Sequence, residues 1–251
     1  MAVERRQFML DYVWKHGELL TNQAMELFSA SAPTIRRDFN KLVQSHPALT
    51  RTHGGIHIRI QDTDKEFEFD IKQNLNTQSK QEIAAKACRL IQPHDCIFLD
   101  SGSTCFELAK YLRSIPLTVV TTDVKIADLL GGARDIDLYI VGGKVRTGFF
   151  SIGDTMACDM LQQFSATLGF MSCDAVSLDA GVTNSSMFEV SVKRALMKQS
   201  KAVCMLVDEQ KLETTAPYAV ASLSVIKYLV TTSNADVDLL NKYRARGIEV
   251  L

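Results

Sequence analysis

No C-x-x-C pair occurs among the six cysteines; Cys88, Cys96, Cys105, Cys158, Cys173 and Cys204 stand apart. Scattered thiols argue against a disulfide framework or a metal site and for free, buried cysteines in a reducing compartment. No apolar run approaches a bilayer span and no leader peptide precedes the chain, so a cytoplasmic protein without a membrane partner is expected. Internal repeats and low-complexity tracts are missing as well. Charge of either sign is not in excess: 28 Lys/Arg against 29 Asp/Glu leave a formal −1, so the overall field names no partner.

The distribution of charge says more than its sum. Residues 1–60 hold eight Lys/Arg against five Asp/Glu, a formal +3, and four of the five histidines; the remainder holds 20 against 24. A small basic head on a nearly neutral body is the footprint of phosphate-backbone contact. A length of 251 residues with 46% apolar content exceeds one typical domain and can bury a sizeable core. We divide the chain into 1–58, a head; 59–78, a linker with a connecting helix; and 79–251, a second domain.

Within the head, Ser31-Ala-Pro-Thr-Ile-Arg-Arg-Asp-Phe-Asn-Lys-Leu42 opens with a helix N-cap and Pro33 in the first turn. Ile35, Phe39 and Leu42 recur at helical spacing as a buried stripe, leaving Thr34, Arg36 and Arg37 on other faces. Upstream, Phe8, Leu10, Tyr12, Val13 and Trp14 supply apolar surface for a first helix that His16-Gly17 stops. Thr21 is placed as the cap of a second helix with Ala24, Leu27 and Phe28 inward. Only Ser29 and Ala30 then separate it from Ser31, which reads as helix-turn-helix. Residues 47–58 alternate apolar and polar around Gly54-Gly55, a β-hairpin wing carrying Arg51, His53 and His57. The head is therefore expected to be all-α with a wing, a winged helix-turn-helix for double-stranded DNA. Ser31, Thr34, Arg36, Arg37, Arg51 and His53 are its candidate contacts; His53 reads equally as a structural turn residue.

Thr34-Ile-Arg-Arg-Asp38 and Arg51-Thr-His-Gly-Gly55 resemble the DeoR family of bacterial transcriptional regulators almost letter for letter, and the likeness runs through nearly the whole chain. Ser29 stands where the family commonly has a turn glycine, which implies backbone strain there. The polar stretch 61–66 reads as the linker, with Phe67, Phe69 and Ile71 beginning a connecting helix. The family's Arg and Asn of this region are matched to Lys72 and Asn76.

From Lys80 onward strands and helices alternate. Helices are read at 80–91, 104–112, 124–130 and 189–198; strands at 96–100, 117–121, 137–141, 166–170, 173–177, 202–208 and 226–231. Such interleaving predicts an α/β domain, a mainly parallel sheet with helices on both faces, whose ligands collect beyond the carboxyl ends of its strands. Polar and glycine residues fall at those ends: Asp100-Ser-Gly-Ser-Thr104, Thr121-Thr-Asp123, Gly142-Gly-Lys-Val-Arg146 and Asp208-Glu-Gln-Lys211. Ser101, Gly102, Ser103 and Thr104 form a plausible oxyanion cradle at a helix start, or simply a tight turn with a cap. Four such loops on one edge point to a pocket for an anionic small molecule.

The resemblance sharpens that reading. DeoR-type regulators are similar in this domain to sugar-phosphate isomerases and bind phosphorylated sugars or related metabolites as effectors. Asp100-Ser-Gly-Ser-Thr104 resembles the family's phosphate loop with one conservative change. Gly142-Gly143 with Arg146, Gly181-Val-Thr183, Glu189 with Lys193, and Asp208 with Lys211 match its pattern. Thr121-Thr122-Asp123 departs from the usual Thr-Asn, Thr167 from an Asp and Gln210 from a Ser. The effector set is thus Asp100, Ser101, Gly102, Ser103, Thr104, Thr121, Asp123, Gly142, Gly143, Arg146, Asp208 and Lys211. Ser101 to Thr104 would hold a phosphate, Lys211 and Arg146 would neutralise it, and Asp100, Asp123 and Asp208 would accept sugar hydroxyls. For each carboxylate a solvated strand-end acid is the competing reading. Lys193 and Glu189, four apart on one helix, read as a surface pair. Cys105, near the loop, is the thiol to watch for oxidation.

The function so implied is a transcriptional regulator, a repressor of a carbohydrate-utilisation operon, acting as a homodimer or homotetramer, with no cofactor, no metal and no catalytic residue. The alternative is a sugar-phosphate isomerase with an accessory DNA-binding head. No compact Asp/Glu-rich catalytic motif stands in 166–183, where Asp174 and Asp179 lie among small and apolar residues.

Overall fold

A glycine sets the end of the first element. In the computed structural model, which describes residues 2–46, 49–58 and 68–251, helix α1 spans Ala2–His16. Gly17 then takes φ 84° and returns its N–H to the Val13 carbonyl at 2.8 Å, a left-handed stop that a Cβ would strain. Strand β1 (Glu18–Leu20), helices α2 (Thr21–Phe28) and α3 (Ala32–Ser45), and strands β2 (Leu49–Arg51) and β3 (Gly55–Ile58) follow. The three strands form an antiparallel sheet in the order β1-β3-β2. The wing expected around Gly54-Gly55 is thus the β2–β3 hairpin. A Cβ on Gly55 would lie 2.2 Å from the Leu19 carbonyl oxygen, so only glycine lets β3 approach β1 so closely.

Met9, Val13, Leu19, Ala24, Ile35 and Phe39 are fully buried in this head's core. Two expected core residues are not: Phe8 and Leu27 are 63% and 55% exposed, because Met9 and Ala24 occupy the inward positions of their helices. The caps also differ in detail. Ser31 has the extended backbone of an N-cap, but its hydroxyl pairs with the Thr34 hydroxyl at 2.9 Å rather than with a backbone N–H. At α2 the cap position is Leu20, not Thr21, and Gln23 Oε1 accepts from the Leu20 N–H at 3.1 Å. Ser29 does sit at φ 46°, ψ 45°, a left-handed conformation costing a residue with a Cβ about 1 kcal/mol.

Residues 61–66, read as the linker, lie outside the described residues. The connecting helix α4 spans Glu68–Asn74, with Phe69 buried. Contacts divide the chain into two units, Met1–Thr77 and Gln78–Leu251.

The second unit is built on near-continuous apolar strands, as a sheet covered on both faces requires. Helix α5 (Thr77–Cys88) leads to β4 (Cys96–Leu99), α6 (Ser103–Lys110), β5 (Leu117–Thr121), α7 (Val124–Leu130) and β6 (Ile136–Ile140). Short strands β7 (Lys144–Val145) and β8 (Ile152–Gly153) precede α8 (Thr155–Leu161) and β9 (Ala166–Ser172). Then come β10 (Ala175–Ser177), β11 (Gly181–Asn184), α9 (Val190–Lys198), β12 (Ser200–Leu206), β13 (Tyr218–Ala221), β14 (Ile226–Val230), α10 (Val237–Ala245) and β15 (Glu249–Val250). Seven strands pair in parallel in the order β15-β14-β12-β9-β4-β5-β6. One core, with Ile83, Leu108 and Ile126, lies under α5, α6 and α7; the other, with Leu161, Leu196 and Tyr243, lies under α8, α9 and α10. The stretch 173–177 is not a strand of that sheet; its β10 part joins an antiparallel trio, β10-β11-β13. Chain progression reverses between β4 and β9, which puts the switch point, where such sheets take their ligands, beyond the carboxyl ends of these two strands.

Candidate functional site

Two surfaces carry polar residues that the fold itself does not require. On the head, α3 buries Ile35, Phe39 and Leu42 and leaves Arg36 and Arg37 exposed, with Thr34 half-buried and His53 exposed on the wing. Arg51 is placed differently from its neighbours. Its Nη1 donates to the Gly55 carbonyl at 3.0 Å and its guanidinium lies 5.3 Å from the Phe39 ring centroid, so it braces the hairpin on α3. Asp38 is buried, accepting from Arg5 Nε at 2.8 Å and Arg6 Nη1 at 3.4 Å, and thereby ties α3 to α1.

The second surface lies where β4 and β9 end. Asp100 N–H donates to the Phe170 carbonyl at 3.0 Å, Ser172 N–H donates to Asp100 Oδ2 at 3.1 Å, and Ser172 Oγ donates to the Ser101 carbonyl at 2.6 Å. Gly102 caps α6 at φ 125°, where a Cβ would meet Ser172 Oγ at 2.6 Å, so the turn needs glycine twice over. Lys193 reaches into this junction from α9 with 1% of its surface exposed. It ion-pairs with Asp100 and donates to the Ser172 carbonyl at 3.0 Å, while Glu189 Oε2 lies 4.0 Å away. Glu189 in turn accepts from Arg146 Nη1 at 3.0 Å, Ser151 Oγ at 3.1 Å and Asn184 Nδ2 at 3.0 Å.

These contacts place the sequence-derived residues unevenly. Asp100, Ser101, Gly102, Ser103 and Thr104 stay together at the start of α6, with Gly102 and Ser103 reaching the surface and Ser101 and Thr104 buried. Lys211 lies in the short turn that follows β12 and reaches the end of β9, its Nζ donating to the Cys173 carbonyl at 2.9 Å. Arg146 arrives through Glu189 and lies 3.4 Å from the Phe149 ring centroid. Gly142 and Gly143 are exposed; a Cβ on Gly143 would sit 2.6 Å from the Gly153 carbonyl oxygen. Three residues assigned to sugar hydroxyls or their surroundings hold the backbone. Thr121 Oγ1 donates to the Leu99 carbonyl at 2.9 Å, and Asp208 Oδ1 accepts from the Gln210 N–H at 3.1 Å. Asp123 is fully buried: Oδ1 accepts from the Lys125 and Ile126 N–H groups, capping α7, and Oδ2 accepts from the Gly102 N–H at 3.2 Å.

Lys193 and Glu189 are not the surface pair expected from their spacing. Lys193 sits three residues after Val190 and four before Met197, both buried, which puts it on the apolar stripe of α9. That interruption of the stripe was the available sequence signal. Ser172, Ser151 and Asn184 were missed for lack of one.

Electrostatics follow burial. Desolvation pushes the Asp100 carboxyl up, with Lys193 pulling the other way. Burial works to discharge Lys193, but Asp100 and Glu189 outweigh it and hold the ammonium above its ordinary range. Burial pushes Asp123 up to about 6 against the backbone N–H groups of Ile126, Gly102 and Lys125. Because its folded value is raised above the unfolded one, its contribution is complete below pH 3.8 and declines as pH rises to about 6. Asp123→Asn removes that titration, so urea unfolding at successive pH values should show the parent losing up to about 3 kcal/mol relative to the variant across the window. A flat difference would rule the assignment out.

Cys105, expected to be the oxidisable thiol, is fully buried, and burial raises it well above its ordinary range, which leaves it protonated and unreactive. All six cysteines are unpaired. No helix among the described residues is long and apolar enough to cross a membrane.

Comparison with known proteins covers both units. Residues 5–61 match the DeoR-like helix-turn-helix domain, and residues 75–233 match the DeoR C terminal sensor domain. A putative sgc region transcriptional regulator of Escherichia coli (strain K12) is 42% identical over 98% of this chain and 95% of its own. The HTH-type transcriptional repressor GlcR of Bacillus subtilis (strain 168) is 29% identical over 99% of this chain and 95% of its own. Among solved structures, ribose 5-phosphate isomerase A of Methanocaldococcus jannaschii gives a TM-score of 0.41 at 17% identity, over 55% of each chain.

Proposed function

The chain belongs to the DeoR family of transcriptional regulators, and from that premise we propose that it represses a carbohydrate-utilisation operon until a phosphorylated sugar or related metabolite binds its sensor domain. The working division is a reading head over 1–58, a connector over 59–78 and a sensing domain over 79–251. In the head, Arg36, Arg37 and Thr34 approach the major groove, Ser31 and His53 flank them, and Arg51 holds the wing in position. The operator is double-stranded DNA read by two or four copies of the chain.

The observation that carries the sensing role is the junction at the strand switch. Unpaired first-turn N–H groups of α6 follow a glycine cap with a surface-reaching Ser103, and Lys211 and Arg146 stand at its margins. Backbone N–H groups at a helix start together with flanking cations suit a phosphate. Lys193 is already neutralised by Asp100, so its part is to hold the loop rather than to meet the anion. Asp123 and Thr121 act in the same supporting way, which leaves Asp208, with one oxygen on the Gln210 N–H, and the half-buried Glu189 to meet sugar hydroxyls. To release DNA, the effector must bind the weak-binding form more tightly than the strong one, since equal affinity shifts nothing.

Regulation rather than turnover is favoured because the relatives aligned nearly end to end are named as regulators. The test is a gel shift on DNA flanking the gene, titrated with phosphorylated hexoses and pentoses alongside thermal unfolding. One sugar phosphate should raise the unfolding temperature and release a sequence-specific complex. Binding without sequence preference at physiological salt would overturn the repressor reading, and conversion of the sugar phosphate would install the isomerase in its place.

A further inference from the structure

We propose that the outer edge of β6 is a self-association surface, where a second copy of this chain adds its own β6 in antiparallel fashion across a two-fold axis through Leu138. Among the described residues, strand β6 is outermost in the seven-stranded sheet and bonded on one side only, to β5. On that side the Val141 N–H donates to the Thr121 carbonyl and the Asp135 carbonyl accepts from the Leu117 N–H. Backbone groups alternate along a strand, so those of Ile136, Leu138 and Ile140 face outward; the Ile136 N–H makes a long 3.4 Å bond to the Ala133 carbonyl, which an added strand would replace.

The two ends of the sheet are finished differently. At the far edge, β15 is only two residues long and carries Glu249, which is how folded proteins blunt an edge. The β6 edge is five residues long, with Tyr139 39% and Ile140 43% exposed. Apolar surface continues beside it, where Phe164 packs on the Tyr139 ring at 5.1 Å between centroids.

A foreign strand would not require this edge to complement itself, yet it does. With the axis at Leu138, Ile136 of one copy faces Ile140 of the other, Leu138 faces its twin, and Asp137 faces Tyr139, whose phenol can donate to the carboxylate. The residues so matched through Ile136, Leu138 and Ile140 are also those whose backbone groups point outward, as hydrogen-bonded antiparallel pairs demand. A one-residue slip would set inward-pointing groups opposite outward ones. The choice of a second copy rests on the operator reading above, because a helix-turn-helix head uses two-fold pairing to span two half-sites.

The test uses the full chain without DNA. Sedimentation velocity at micromolar concentration should find the parent dimeric or larger, and Ile140→Lys should weaken that association at least tenfold with an unchanged far-ultraviolet dichroism spectrum. Leu138→Cys should form a disulfide-linked dimer on mild oxidation, since a hydrogen-bonded pair holds Cα atoms about 5.5 Å apart, within disulfide reach. Asp137→Cys, whose twin is two positions out of register, should not. If Ile140→Lys does not fold, the cysteine pair decides alone. A monomeric parent, undiminished association of folded Ile140→Lys, or equal cross-linking at 137 and 138 would each overturn the proposal. Gel shifts on the same proteins keep the two readings separate: a parent that binds its operator while failing these tests sinks the interface and leaves the regulator standing.

Discussion

Replacing Arg36 and Arg37 together by alanine should lower operator affinity by about 100-fold or more, with no measurable loss of folding stability. Both side chains are exposed on α3, and among the described residues neither forms an ion pair. Their removal therefore leaves nothing stranded, and exposed substitutions of this kind shift stability by only about 0.5 kcal/mol. Each arginine that reads a guanine edge contributes about 1–3 kcal/mol, so two together account for the expected loss. Salt separates the possible roles. An arginine on a phosphate lowers the salt slope by about one ion without changing sequence preference, whereas one on a base relaxes preference at a single position. Arg51→Ala provides the contrast: its guanidinium holds the Gly55 carbonyl and covers Phe39, so it should destabilise the head as it weakens binding. Full retention of operator affinity by the double variant would remove the recognition role from α3.

The elements that were legible from sequence are those whose burial is periodic and long enough to repeat. Ile97-Phe98-Leu99 and Val203 to Val207 are buried on both faces, and their unbroken apolar runs read correctly as strands of a covered parallel sheet. Strands of two or three residues carry no period: β1, β7 and β8 are fixed by their partners across the sheet and escaped notice. Candidate-site residues in loops after strands could be found because loop composition advertises them. What the loops could not reveal is which polar groups are consumed by the backbone, as Asp123 is by the start of α7 and by Gly102. The stripes held a further signal. Asp38 lies three residues after Ile35 and four before Leu42, and Lys193 has the same relation to Val190 and Met197. A charge on an apolar stripe must find an opposite charge within the fold, and both do: Asp38 on Arg5 and Arg6, Lys193 on Asp100.

That pairing makes Lys193→Met the most damaging single substitution expected in the second unit. Methionine fills the volume, yet Asp100 is left 1% exposed without its cation, and breaking a buried pair from one side typically costs about 3–5 kcal/mol. Asp100 escapes part of the penalty by taking up a proton, so the loss should deepen as pH rises and ease in acid. Adding Asp100→Asn should recover a share of the stability, because a neutral amide needs only hydrogen bonds. The junction it leaves is looser, however, since Lys193 also donates to the Ser172 carbonyl and Ser172 fixes the Ser101 carbonyl and the approach to Gly102. The double variant is thus expected to fold but to bind the effector more weakly, a split that a purely structural pair would not produce. Urea unfolding followed by far-ultraviolet dichroism reads the loss. Loss of less than about 1 kcal/mol in Lys193→Met would mean that water reaches Asp100 and that the pair is not the closed contact it is here.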